Sequence, residues 1–92
     1  MQVPQLLLRT LDDLVDSDFK TFNWYLTSCS SKSYAPIPKS RLENAARRDT
    51  VSEMIQNYGE ESAVNITVEI LKNINNNFAA EKLKKEYAEG RA

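Results

Sequence analysis

Glu60-Glu61-Ser62-Ala63-Val64-Asn65-Ile66-Thr67-Val68-Glu69-Ile70-Leu71-Lys72-Asn73-Ile74-Asn75 is the stretch on which the fold turns. Its apolar residues, Ala63, Val64, Ile66, Val68, Ile70, Leu71 and Ile74, spread over most of the circumference of a helix. A helix that is apolar nearly all round cannot lie on a surface, because it needs neighbours on several sides. Glu60 and Glu61 at its start suit the positive end of the helix dipole. The 60–75 segment therefore predicts a central helix, and the rest of the chain has to supply the helices that cover it.

Working outward, Thr50-Val51-Ser52-Glu53 reads as a capping box, in which the threonine hydroxyl accepts the N–H of Glu53 and the glutamate reaches back. It opens a helix with Val51, Met54, Ile55 and Tyr58 inward, ended by Gly59 as a left-handed stop. On the other side, Asn75-Asn76-Asn77 reads as a turn and cap. A last helix follows, with Phe78, Ala79 and Leu83 inward, Lys82, Lys84, Lys85 and Glu86 outward, and a tail fraying from about Ala88.

At the other end of the chain, Pro4 suits a first helical turn, and Leu7, Leu8, Leu11 and Leu14 repeat as one stripe. Asp16, Ser17 and Asp18 open a second helix with Phe19, Phe22 and Leu26 on one face. Trp24 is placed beside that face as a packing residue, Lys20 and Asn23 point away, and Tyr25 is the outer aromatic. Ser28, Ser30, Ser31 and Ser33 open a polar loop that runs to Pro36-Ile37-Pro38, where two prolines deny backbone donors and Ile37 anchors to the core. A weak, short third helix from Lys39 to about Ala45 places Leu42 inward, and Arg47-Arg48-Asp49 is the next connector. The expected fold class is all-α. It is a six-helix antiparallel bundle with a weak short third helix and a long loop between helices two and three. At about 100–200 residues per domain, residues 1–92 make one domain, with a folded core of about 4–87 and a frayed tail over 88–92.

Composition removes whole classes of chemistry. The 92 residues contain no histidine, so no histidine acid or base and no Ser-His-Asp or Cys-His arrangement can form. Cys29 is the only cysteine, which excludes an intrachain disulfide and a cysteine-rich zinc site. Two glycines cannot build a phosphate-cradling loop. Neither catalysis nor a cofactor is expected. A net charge of −1 argues against general affinity for nucleic acid or anionic membrane. The start at Met1-Gln2-Val3-Pro4 has no basic segment, and Leu6-Leu7-Leu8 is too short for a signal core. With one free thiol, the expected location is cytoplasmic, where the Asn65-Ile66-Thr67 sequon stays unused.

What is left is a surface for other proteins. Asp12 and Asp13 fall on helix one, and Asp49 and Glu53 at the start of helix four. Lys20 falls on helix two, and Lys39 and Arg41 just after the long loop. Opposite charges on different elements allow head-to-tail self-association, and a heterologous contact of that kind builds helical filaments. Tyr25 is the candidate surface hot spot, since aromatics are enriched there. Asp12, Asp13, Asp16 and Asp18 lack the alternating ligands, glycine and closing glutamate of a calcium loop.

The order and spacing of several short pieces resemble the pyrin domain, a branch of the death-fold superfamily. They are Leu11-Asp12-Asp13-Leu14, Phe19-Lys20-Thr21-Phe22, Ile37-Pro38-Lys39, Leu42-Glu43-Asn44-Ala45, Asp49-Thr50-Val51, Tyr58-Gly59-Glu60-Glu61-Ser62-Ala63 and Ala80-Glu81-Lys82-Leu83. The resemblance covers about residues 4–87 and looks most like the pyrin domains of NOD-like-receptor inflammasome sensors. It implies homotypic association in which acidic residues on helices one and four meet basic residues on helices two and three of the next subunit. Carried over, these are Asp12, Asp13, Asp49 and Glu53 on one side, and Lys20, Lys39 and Arg41 on the other. The implied partners are a second copy and the pyrin domain of an adaptor, joined in a filament, with no nucleic acid, membrane or small-molecule substrate. Arg9, Tyr25 and Ala46 depart from the residues common in the family, and Arg47 and Arg48 add positive charge beside Asp49. A pyrin-only decoy that caps filaments is the alternative. The rival from another class is a small nucleic-acid binder using Arg47, Arg48 and the lysines of helix six.

Overall fold

The computed structural model describes residues 3–28 and 36–90. Six α-helices follow one another in these residues: α1 (Val3–Asp12), α2 (Asp16–Ser28), α3 (Lys39–Leu42), α4 (Arg47–Tyr58), α5 (Glu60–Asn73) and α6 (Asn77–Gly90). Cys29 and the serines assigned to the loop after Ser28 lie outside the described residues.

α5 is the centre of the bundle. Ala63, Val64, Ile66, Thr67, Val68, Ile70 and Leu71 are buried, and the helix packs against α1, α2, α4 and α6. The one polar side chain among these, Thr67, is satisfied within its own helix by donating to the Ala63 carbonyl at 2.8 Å. Around α5, the core is completed by Leu6, Leu7, Leu11 and Leu14, by Phe19, Phe22 and Leu26, and by Met54, Ala80 and Leu83. Ile37 anchors the segment before α3 as expected: it is buried, and its N–H donates to the Leu26 carbonyl at 3.0 Å.

Several local readings change, each for a geometric reason. In α1 the buried residues are Leu6, Leu7, Thr10 and Leu11, with Leu8 only half-buried. Thr10 enters the stripe because its hydroxyl donates to the Leu6 carbonyl at 3.0 Å. On α2 the two aromatics exchange places: Trp24 is 59% exposed, and Tyr25 packs half-buried against the core. At about 100° per residue, Tyr25 lies about 60° from Phe22, whereas Trp24 lies about 160° away. Asn23 is half-buried rather than outward, and accepts a hydrogen bond from the Thr50 hydroxyl at 3.1 Å. The same argument turns Phe78 outward, to 81% exposure, because it sits about 140° from Leu83 while Ala80 sits about 60° away.

α4 begins at Arg47, so Arg47, Arg48 and Asp49 are its first turn rather than a connector. The cap lies upstream of Thr50: Asp49 Oδ2 accepts the N–H of Ala46 at 3.1 Å, and Thr50 is fully buried. α3 is shorter than its expected span, four residues ending at Leu42. Gly59 has φ +84° as a stop requires, but ψ 166° is extended rather than left-handed helical. Its N–H closes α4 on the Ile55 carbonyl, and its own carbonyl accepts the Ala63 N–H to open α5. One residue joins two helices directly, and only an extended ψ lets it do both. α5 ends at Asn73, and Asn75 takes φ 64°. Asn76 Oδ1 then accepts the Ala79 N–H at 3.2 Å as the cap of α6, which continues to Gly90.

Candidate interaction surfaces

Two surfaces carry the candidates Lys20, Lys39 and Asp12. The first lies between α2 and α3, where Lys20, Trp24 and Thr27 face Lys39, Leu42 and Glu43 across a shallow groove of about 180 Å³. Its walls exist because α2 needs only Phe19, Phe22 and Leu26 for the core, which leaves the Lys20–Trp24–Thr27 row outside. Trp24 stands edge-on to Tyr25, with ring centroids 5.1 Å apart and planes at 76°. Lys20 and Lys39 are exposed and make no ion pair among the described residues.

The second surface lies between α1 and α4. Leu8, Asp12, Ala46, Arg47 and Arg48 line an open depression of about 340 Å³. Asp12 is exposed and has no ion pair among the described residues. The other three acidic candidates are differently engaged. Asp13 points toward α6, its Oδ2 3.6 Å from Lys82 Nζ. Asp49 caps α4. Glu53 is held by Arg41 at 3.3 Å within the same molecule, so one residue from each expected face neutralises the other. The structure thus brings Lys20 and Lys39 together, leaves Asp12 open on the α1–α4 side, and withdraws Arg41 and Glu53 as a pair.

One structural role was not signalled by the sequence pattern: Arg47, offered only as a nucleic-acid contact, ties the α1–α2 corner. Its Nε donates to the Leu11 carbonyl at 2.8 Å, and its Nη2 to the Leu14 carbonyl at 2.7 Å and to Asp16 Oδ1 at 3.2 Å. Its guanidinium lies 4.7 Å from the centroid of the Phe19 ring. No signal could have found it, because the end of α1 is closed locally, the Leu14 N–H donating to the Leu11 carbonyl at 3.0 Å, and Arg47 adds to that from thirty-six residues away. Among the described residues no three side chains of metal-binding type cluster, and no helix is long and apolar enough to cross a membrane.

The family described as PAAD/DAPIN/Pyrin domain matches residues 6–90. Caspase b of Danio rerio is 40% identical over 81 residues, covering 88% of this chain and 20% of that protein. Pyrin of Homo sapiens is 37% identical over 78 residues, 84% of this chain and 10% of that protein. NACHT, LRR and PYD domains-containing protein 3 of Rattus norvegicus is 37% identical over 90 residues, 97% of this chain and 9% of that protein. The chain therefore spans a fifth or less of the length of these relatives. The solution structure of the pyrin domain of human Pyrin superimposes with a TM-score of 0.84 at 32% identity, over 96% of this chain and 99% of that one.

Proposed function

This chain belongs to the pyrin domain family, and from that premise we propose that it nucleates helical pyrin–pyrin assembly and thereby recruits an inflammasome adaptor in innate immune and cell-death signalling. The family fold is a homotypic protein-interaction module. The observation that carries the finer reading is the separation of open charges. Lys20 and Lys39 lie on α2 and α3, Asp12 lies on α1, and none of the three is neutralised by an ion pair among the described residues. Open lysines on α2 and α3 and an open carboxylate on α1 support a heterologous contact, which adds subunits without closing. Such pairs are weak singly, at about 0–1 kcal/mol when exposed, and gain force by repetition along an assembly. The reading places the domain in the cytoplasm, as part of a larger sensor of the NACHT, LRR and PYD type, with the pyrin domain of an adaptor as partner.

Negative-stain electron microscopy of the domain tests this, alone and as a sub-stoichiometric seed for an adaptor pyrin domain at physiological salt. Filaments, or seeding of the adaptor, are the expected result. A chain that neither polymerises nor seeds refutes it.

A second reading draws on the thinness of the acidic side, where Asp12 is the open carboxylate and Arg47 and Arg48 stand beside it. A domain with one strong and one weak surface caps filaments. That decoy slows adaptor growth in the same experiment.

A further inference from the structure

We propose that the groove between α2 and α3 is a binding site for a small aromatic carboxylate, a single ring that bears one negative charge. Binding there needs no second copy and stands apart from the homotypic reading above. The groove is lined by Lys20, Asn23 and Trp24 from α2 and by Lys39, Leu42 and Glu43 from α3 and its end.

The apolar part of the lining calls for a flat ring. Leu42 is buried, whereas Trp24 stands 59% exposed, although the core contacts of α2 are complete with Phe19, Phe22 and Leu26. Edge-on packing against Tyr25 holds the indole in one orientation, so a ring can stack on it with little lost in ordering. A volume of about 150 Å³ suffices for a benzene ring. The groove, at about 180 Å³, takes one ring and its substituent. It is too small for a base joined to a sugar and a phosphate chain.

The polar part calls for a single negative charge. Lys20 and Lys39 are exposed and make no ion pair among the described residues. Glu43 lines the same groove, so two cations and one carboxylate leave one positive charge over. A monoanion balances that charge, while a doubly charged phosphate overshoots it and meets Glu43 as well. Asn23 adds a neutral donor. Its Oδ1 accepts from the Thr50 hydroxyl at 3.1 Å, which fixes the amide. Its Nδ2 hydrogens make no hydrogen bond among the described residues, and they are the part of the amide left to offer. A carboxylate accepts from that amide as well as from the two ammonium groups. Such a ligand covers Lys20 and Lys39 and so competes with the assembly proposed above, and that consequence alone rests on the homotypic reading.

The test uses benzoate as the probe and amide NMR spectra of the 92-residue chain, below the concentration at which it associates. The single tryptophan gives one indole N–H signal. That signal and the backbone amides of Lys39 and Leu42 are expected to shift saturably, half-saturated on the order of 1 mM, as one ring in an open groove allows. Benzamide has the same shape without the charge and should bind roughly fivefold more weakly, the size of an exposed ion pair. Lys20→Gln with Lys39→Gln should weaken benzoate by a similar factor. Glu43→Gln should tighten it about two- to threefold, because the opposing charge is gone. Trp24→Ala, followed at Lys39 and Leu42, should weaken it roughly fivefold or more. Equal binding of benzoate and benzamide overturns the proposal, and so does an unchanged affinity in the double lysine variant. Shifts that do not saturate, or that scatter over the surface, also overturn it. Adenosine monophosphate bound more tightly than benzoate overturns the assigned ligand class. Each of these results leaves the homotypic function standing, and a chain that binds benzoate yet neither assembles nor seeds loses that function and keeps this site.

Discussion

Replacing Arg47 by alanine is expected to destabilise the domain by about 2–3 kcal/mol, although the residue reads in sequence as one of two equivalent surface arginines. The magnitude follows from its contacts. Two hydrogen bonds from a charged donor, at 2.8 and 2.7 Å, close the carbonyls of Leu11 and Leu14. Bonds of this kind contribute about 1.5–3 kcal/mol each where water is excluded. The Arg47 side chain keeps 25% of its exposure and the Leu11 carbonyl also accepts the Leu14 N–H, so each bond contributes about 0.8–1 kcal/mol here. Stacking on Phe19 adds about 0.5–1 kcal/mol. The pairing with Asp16 adds almost nothing, because that side chain is 90% exposed.

The assay is urea unfolding followed by far-ultraviolet circular dichroism, below the concentration at which the chain associates, comparing midpoints at constant slope. A loss of this size lowers the thermal midpoint by roughly 10–20 °C in a domain of about 60–100 residues. Arg48→Ala, one residue away and exposed, is the control and should stay within about 0.5 kcal/mol. Arg47→Lys should recover only part of the loss, since one ammonium cannot span both carbonyls in a fixed fork. Equal stabilities for Arg47→Ala and Arg48→Ala would refute the reasoning.

Three further outcomes are expected. Lys20→Glu should leave the helical circular dichroism intact and raise the concentration required for assembly roughly tenfold, by setting like charges against Asp12 of the next copy; normal polymerisation of this variant would sink the charge-registered contact. Gly59→Ala should cost about 1–3 kcal/mol, with open space around the new methyl group, because φ +84° with ψ 166° is a backbone region kept to glycine; denaturant unfolding measures it. Phe78→Ser should leave stability within about 0.5 kcal/mol by the same method, since the ring is 81% exposed, and a loss of several kcal/mol would return Phe78 to the core.

Those variants also mark where sequence reading succeeds and where it stops. The spread of apolar residues over Ala63–Ile74 required a buried helix, and α5 is that helix. Local chemistry was equally legible in the Asn76 cap and in Ile37 between two prolines. Register within a helix was less so. Trp24 and Phe78 are large and apolar, and size alone favours burial, yet the angle around the helix excludes both from the core. Tyr25, selected as the surface aromatic, is turned half inward by the same angle. At the start of α4 two caps competed, and the one formed by Asp49 won because Thr50 is needed inside, against Asn23.

By itself the sequence determined the helical class, the central helix, the family pattern and the absence of histidine chemistry. These follow from composition and from periodicity along one chain, which neighbours in space do not alter. Only the tertiary structure decided which charges stay open. Glu53 and Arg41 lie twelve residues apart and Asp16 and Arg47 thirty-one apart, so their pairing depends on how α2, α3 and α4 are set against one another. The same packing left Asp12, Lys20, Lys39 and Trp24 facing outward, because an ion pair or an exposed ring is a property of distances between elements, and those distances exist only once α5 has drawn the bundle together.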